Sequence, residues 1–378
     1  MSSPTPDDVA PIAFARDPTA RGATRCGASF AALAIGLRVA LMAAALGLAG
    51  ASAAELASLH DGRSYQTIAE ALGSAEQLRG LPAEVRRLGP GYPALARAAA
   101  VALPLPLAAL VVPVLAAGAA VWLLSALGAS RWTVAYFAVF TPSWVLFSGT
   151  AMSEAPFLAL SLAGVLLWRR DRPVWSGLVL GGATLVRPVG ALVFASHWLL
   201  SRRRRGVRAS IPALVAFAVL PGAWAVASWW LWGNPLQQPA SYIAKDLSWP
   251  LHSLLVGLGQ PWHDPLKAGQ VVLALGLAFL GAIGLRRRWQ ATGDPERLAE
   301  GAWLVSHVCF YLLLPSSWVF ECLPRFLVSC LPPILLGLEP WLPRRRAAVV
   351  AAGAGSLALG LIWNLRALDA LQRLGTGS

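Results

Sequence analysis

An all-α bundle that crosses a membrane many times is predicted by three features of this sequence. Charged residues make up 13% of its 378 positions and hydrophobic ones 57%, whereas soluble domains carry about 25% charged residues. Apolar runs recur along nearly the whole chain, many near the roughly 20 residues that a helix needs to cross a bilayer. The arginines sit in short clusters between those runs, as cytoplasmic membrane loops do. The formal net charge of +13 comes almost wholly from Arg, with Lys only at Lys245 and Lys267. Basic residues placed that way serve membrane topology, so nucleic acid is not an expected partner. Cys26, Cys309, Cys322 and Cys330 form no CxxC or Cys/His pattern, and Cys322 and Cys330, which could lie near one membrane face, read as small buried hydrophobes. No cofactor is expected; a need for a divalent cation is left open.

The elements follow from this pattern in chain order. Residues 1–27, rich in Pro, Ala, Asp and Arg without periodicity, are expected to form a disordered cytoplasmic tail. The run 28–54 follows. Its ASAA ending resembles a signal-peptide cleavage site, but the run is long and holds Arg38, so a retained helix is expected. Arg38 at mid-helix costs about 2.5–3.5 kcal/mol unless satisfied. Carbonyls of a neighbouring helix or a phosphate group could each satisfy it.

An outer loop over 55–93 comes next, with Glu55, Asp61, Glu70, Glu76 and Glu84 in a chain otherwise poor in carboxylates. The segment SYQTIAEAL within it reads as helical. Residues 94–128 exceed one span and are broken by Pro104, Pro106 and Pro113, which predicts a short surface helix before a crossing. Residues 132–147 are expected to cross back, 148–154 to form a short turn, and 155–168 to return to Arg169, Arg170 and Arg172.

Only roughly 29 residues separate that cluster from Arg202–Arg205 and Arg208, too few for two full spans of about 20 residues each. A hairpin of two short helices with Arg187, Pro188, Val189 and Gly190 at its tip is the consistent solution. The run 211–232 then crosses outward and ends in Trp229, Trp230 and Trp232, an interfacial belt. A second outer loop spans 233–267, with Lys245, Asp246, His252, His263 and Asp264 among its polar residues. Crossings are expected at 268–285, 303–314, 326–341 and 347–363, with a third outer loop at 315–325 and a short tail at 366–378. Residues 28–365 thus form one membrane domain of roughly 9–11 helices, short and re-entrant ones included. Its N-terminus is expected in the cytoplasm of a cell whose cytoplasmic membrane holds it.

The sequence holds no Walker A, HExxH, GxSxG or strand-linked GxGxxG motif. The remaining candidates are polar residues assigned to the outer face: His60, Asp61, Tyr65, Ser153, Glu154, Arg187, Glu321 and Arg325. Asp61 could act as a general base, while an Asp before a helix is common for capping alone. Glu154 could be a solvated turn residue or a site carboxylate. Arg187 needs an anionic partner in its apolar hairpin, such as a ligand or Glu154. Arg325 could anchor at the interface or bind phosphate.

Four segments together resemble the PIG-V type GPI mannosyltransferases and their bacterial relatives. LHDGRSYQTIA followed by GPGYP is similar to the first luminal loop of that family, which carries WD, IA and GY. TPSWVLFSGTAMSEAPF, ATLVRPVG and LPRFLVSCLPPILL are similar to its later SE, RP and PR segments, in the same order over about residues 30–340. His60 replaces the Trp before the Asp, Met152 the Tyr before Ser153, and Gly89-Pro90 the FP pair.

The resemblance implies a GT-C glycosyltransferase fold. It implies transfer of mannose from a polyprenyl-phosphate donor to a lipid or protein acceptor on the outer face. Asp61 would be the catalytic base. Arg187 and Arg325 would bind donor phosphate, with His60, Tyr65, Tyr92, Ser153 and Glu154 also in the substrate site. A transporter or flippase of a lipid-linked substrate, and a non-catalytic membrane scaffold, are the alternatives. The scaffold predicts that Asp61, Glu154 and Arg187 stay apart; the enzyme predicts that they converge.

Overall fold

The computed structural model describes residues 19–237, 265–313 and 317–376. Among them every regular element is helical. Five helical stretches are long and apolar enough to cross a membrane: Cys26–Ala49, Leu105–Ala126, Gly206–Trp232, Gly269–Thr292 and Arg346–Arg373. Large apolar side chains such as Leu48, Val215, Val226, Phe279 and Val350 point outward from them. In a bilayer such faces meet lipid rather than water. The molecule is an all-α polytopic membrane bundle.

The first helix, α1 (Thr19–Ala49), begins inside the stretch expected to be a tail, of which residues 1–18 lie outside the described residues. Arg38 on α1 is fully buried and packs its charge inside the protein. Its Nε donates to Ser148 Oγ (2.7 Å), its Nη1 to the carbonyls of Ala34 (3.0 Å) and Ala138 (2.8 Å), and its guanidinium lies over Trp144. Carbonyls and a hydroxyl therefore satisfy Nε and Nη1, the first of the two readings above, while Nη2 is buried without a hydrogen-bond partner.

Residues 52–99 form short helices rather than an open loop: α2 (Ala53–Ala57), α3 (Gly62–Ala71), α4 (Ala75–Arg79), α5 (Ala83–Arg86) and α6 (Gly91–Ala99). Ser52 and Glu55 form a capping box at α2, so the ASAA stretch is a helix start. Pro104 opens α7 (Leu105–Ala126), the beginning of the long apolar run having become part of α6.

The expected single crossing over 132–147 is two helices, α8 (Arg131–Val139) and α9 (Pro142–Phe147). Pro142 lacks the N–H that would continue the helix and disfavours helical backbone at the residue before it. Thr141 takes φ +70° and its hydroxyl caps the Trp144 N–H. α10 (Glu154–Arg169) follows.

The hairpin is present as α11 (Pro173–Val186) and the start of α12 (Gly190–Trp232), which breaks at Gly206 (φ +78°) inside the arginine cluster. α11 and α12 pack closely because of Gly177 and Gly181, four residues apart. A methyl group at either would run into the carbonyl of Ala213 or Phe217.

The chain resumes with α13 (Pro265–Thr292) and α14 (Pro295–Leu312). Of the second outer loop, residues 238–264 lie outside the described residues, Lys245, Asp246, His252, His263 and Asp264 among them. The segment expected as a third loop is instead α15 (Ser317–Phe326), with Pro324 inside it; residues 314–316 and the side chain of Glu321 lie outside the described part. A 3-10 turn (Leu327–Cys330), α16 (Leu331–Leu338) and α17 (Arg346–Thr376) complete the bundle. The core between them holds Phe137, Trp144, Phe157 and Trp303, all at most 2% exposed.

Ion pairs tie one set of helix ends together. Arg169 at the end of α10 meets Glu296 (2.7 Å) and Glu300 (2.6 Å) of α14. Arg297 shares Glu300, and Arg288 of α13 meets Glu339 (2.6 Å). Glu154 starts the same α10, so its 16 residues separate this network from Glu154 by about 24 Å at 1.5 Å per residue.

Candidate functional site

Four elements bring charged side chains to the Glu154 end of α10. Asp61 stands just before α3 and follows His60, whose backbone is left-handed (φ +56°). That bend is uncommon for a residue with a side chain and needs support from its surroundings. The support is visible: the His60 ring stands edge-on to Phe147, centroids 5.1 Å apart. Gly62 then lets α3 start against α2, since a methyl group there would overlap the Ala57 carbonyl.

Asp61 occupies the N-cap position of α3 but makes no side-chain capping bond. Its carboxylate reaches instead to Arg325 on α15, with Oδ2 2.7 Å from Nη2. The two positions are 264 residues apart in sequence.

Glu154 is fully buried. Its Oε1 accepts from Arg325 Nε (2.6 Å) and from Arg187 Nη1 (2.8 Å). Its Oε2 is buried without a hydrogen-bond partner. Arg187 stands at the end of α11 in extended backbone, as the following Pro188 requires. It also donates to Ser153 Oγ (3.4 Å). Gly91 of the GPGYP segment sets the tip in place. A Cβ there would lie 2.7 Å from the Val186 nitrogen, so only glycine lets the two backbones meet.

Two tyrosines close the side of the site. Tyr65 on α3 donates from its hydroxyl to Ser153 Oγ (2.9 Å) and stacks edge-on against Tyr92. The Tyr92 hydroxyl donates to the Ala109 carbonyl (2.6 Å), which anchors it to α7. Phe147 is the floor, with His60 on one side and the Arg325 guanidinium 4.9 Å from its ring centre. Nothing in the sequence reading singled Phe147 out, although it lies inside the TPSWVLFSGTAMSEAPF segment.

The quartet of Asp61, Glu154, Arg187 and Arg325 is balanced, two negative against two positive. Burying Glu154 alone would cost several kcal/mol, on the order of 3–5 when a partner is lost; two guanidinium groups offset that. Burial pushes the Asp61 carboxyl up, but Arg325 outweighs burial, with help from Arg87 and Arg187, and holds it below its ordinary 3.8. Burial and Arg325 together lower His60 against the opposing pull of Asp61 and Glu154. A neutral imidazole beside an ionised carboxylate is the result at neutral pH. Burial raises the Tyr65 phenol, which stays a donor.

All eight residues expected at the site, His60, Asp61, Tyr65, Tyr92, Ser153, Glu154, Arg187 and Arg325, are therefore in one linked cluster. Asp61, Glu154 and Arg187 converge rather than stand apart. Among the described residues no group of His, Cys, Asp and Glu is arranged to hold a metal ion. Pro324, the residue before Arg325, lines an apolar groove. The groove runs between Pro142 on α9, Leu273 and Leu277 on α13, and Leu327 and Leu331.

No curated protein matches the chain. The model of glycosyltransferase family 87 matches residues 90–315. Tyr92, Ser153, Glu154 and Arg187 fall inside that match, while His60, Asp61, Tyr65 and Arg325 join them from either side of it. The match supports a membrane glycosyltransferase of GT-C type. It covers more than half of the 378 residues, and the chain belongs to glycosyltransferase family 87.

Proposed function

We propose that this protein transfers a sugar, mannose by its likeness to the PIG-V type enzymes, from a polyprenyl-phosphate donor to a lipid or protein acceptor. The observation that carries this reading is the double hold of Arg325 on Asp61 and Glu154. It puts a carboxylate with 31% of its side chain exposed beside two guanidinium groups fixed by a fully buried one.

Each part has a chemical use. Arg187 and Arg325 offer N–H groups suited to a phosphate, the contact that guanidinium makes best. Glu154 aims both of them and keeps them from repelling one another. Asp61 takes the proton of the acceptor hydroxyl as that oxygen attacks the anomeric carbon. The bond from that carbon to the phosphate oxygen breaks, and the electron pair leaves with the polyprenyl phosphate. One displacement inverts the anomeric centre. The apolar groove beside Pro324 gives the prenyl chain a path away from the phosphate. With Arg169–Arg172, Arg202–Arg208, Arg286–Arg288 and Arg344–Arg346 on the cytoplasmic side, the cluster faces outward.

The test is transfer of labelled sugar from a polyprenyl-phosphate donor by proteoliposomes holding the purified protein. Transfer that requires Arg187 and Arg325 supports the reading. Movement of the labelled lipid across the vesicle membrane with no glycosidic bond formed would sink it in favour of a flippase.

A further inference from the structure

The pair between Asp61 and Arg325 engages the carboxylate assigned as the base. We propose that this pair is a latch opened by the donor phosphate, so that donor must bind before the acceptor can be deprotonated. The inference rests on the donor and base roles given above.

The two carboxylates on Arg325 are held unequally. Glu154 is fully buried, and its Oε1 receives both Arg187 and Arg325. Asp61 retains 31% exposure, and Arg325 Nη2 is its ion-pair partner. It makes no capping bond to α3. Of the two, Asp61 is the one that can yield.

A phosphate arriving between Arg187 and Arg325 needs the Nη2 edge of Arg325 that Asp61 occupies. Both are anions and compete for the same N–H groups. The arriving phosphate displaces the carboxylate and adds a like charge beside it. Asp61 then turns toward the acceptor with no guanidinium holding its lone pairs.

The cycle closes without any further reactant. Asp61 takes the acceptor proton, the new carbon–oxygen bond forms, and the old one breaks toward phosphate. When polyprenyl phosphate leaves, Arg325 is free again and draws Asp61 back as a carboxylate, which sends the proton to water. Before the donor arrives, the base is neutralised and a water molecule or stray hydroxyl meets no active carboxylate.

Binding of farnesyl phosphate to the purified full-length protein in detergent tests this directly. The Asp61→Asn variant offers Arg325 only a neutral amide oxygen in place of a competing anion and is expected to bind about two- to fivefold tighter than wild type, the range set by an ion pair of about 0.4–1 kcal/mol. Asp61→Ser provides a second measurement should the amide variant fold poorly. Equal or weaker binding in both variants, with wild-type binding lost in Arg325→Gln, overturns the latch and leaves the donor reading standing. Binding that survives Arg325→Gln and Arg187→Gln unchanged overturns the donor reading itself, and the latch with it.

Discussion

Arg325 Nη2 lies 2.7 Å from Asp61 Oδ2, joining residues 264 positions apart. The same guanidinium holds Glu154 through Nε at 2.6 Å. One arginine thus ties the segment after α2 to the start of α10, and the site exists only when α15 is in place.

Removing Glu154 is expected to destabilise the fold strongly. Arg187 and Arg325 would lose the carboxylate that offsets their burial, at a cost of about 3–5 kcal/mol. Thermal unfolding of Glu154→Ala in detergent, followed beside wild type, measures it. An unchanged midpoint would mean that the two arginines are satisfied elsewhere.

The pH dependence has a definite sign. The Asp61 carboxyl is held below its ordinary 3.8 in the folded protein. A group lowered on folding contributes stability above its unfolded value and loses it as pH falls through the folded one. The difference in unfolding midpoint between wild type and Asp61→Asn should therefore stay constant from pH 8 to about 5 and shrink only below about 4. A difference that disappears between pH 7 and 5 would show a raised carboxyl and contradict the hold of Arg325.

Gly91→Ala should disturb the site from outside it. The added methyl would stand 2.7 Å from the Val186 nitrogen and 2.8 Å from the Leu185 carbonyl carbon, and backbone cannot swing aside as a side chain would. A cost of about 1–3 kcal/mol is expected. Because Arg187 follows Val186 directly, transfer should fall more than stability does. Equal activity at equal protein level would show that the tip is tolerant.

Tyr65→Phe removes the hydrogen bond to Ser153 and leaves the ring stack on Tyr92. About 1 kcal/mol of stability is expected to go, with a modest loss of transfer. A loss as large as that from Asp61→Asn would give the Tyr65 hydroxyl a direct part in the chemistry.

Much of the architecture could be read from charge and length. The hairpin at Arg187 followed from the short distance between two arginine clusters, and its helices end at Val186 and resume at Gly190. One failure lay at a proline. Pro142 breaks the run over 132–147, although its missing N–H announces the break. The segment 315–325 was expected as a loop, and α15 occupies it from Ser317 to Phe326. Arg187 and Glu154 stood out because a charge in apolar surroundings needs a partner. Glu154 was one expected partner of Arg187, and the two pair; the reach of Arg325 to Asp61, across almost the whole chain, was not legible. Phe147 carried no sequence mark at all: an aromatic residue in an apolar run looks like any other until His60 and Arg325 are both seen against its ring.

The most direct measurement of the central claim is the rate of sugar transfer from a polyprenyl-phosphate donor by wild type and Asp61→Asn, at matched folding in proteoliposomes. Loss of a general base predicts a fall of about 10²–10⁴-fold. Undiminished transfer by Asp61→Asn would remove Asp61 from the chemistry and contradict the account.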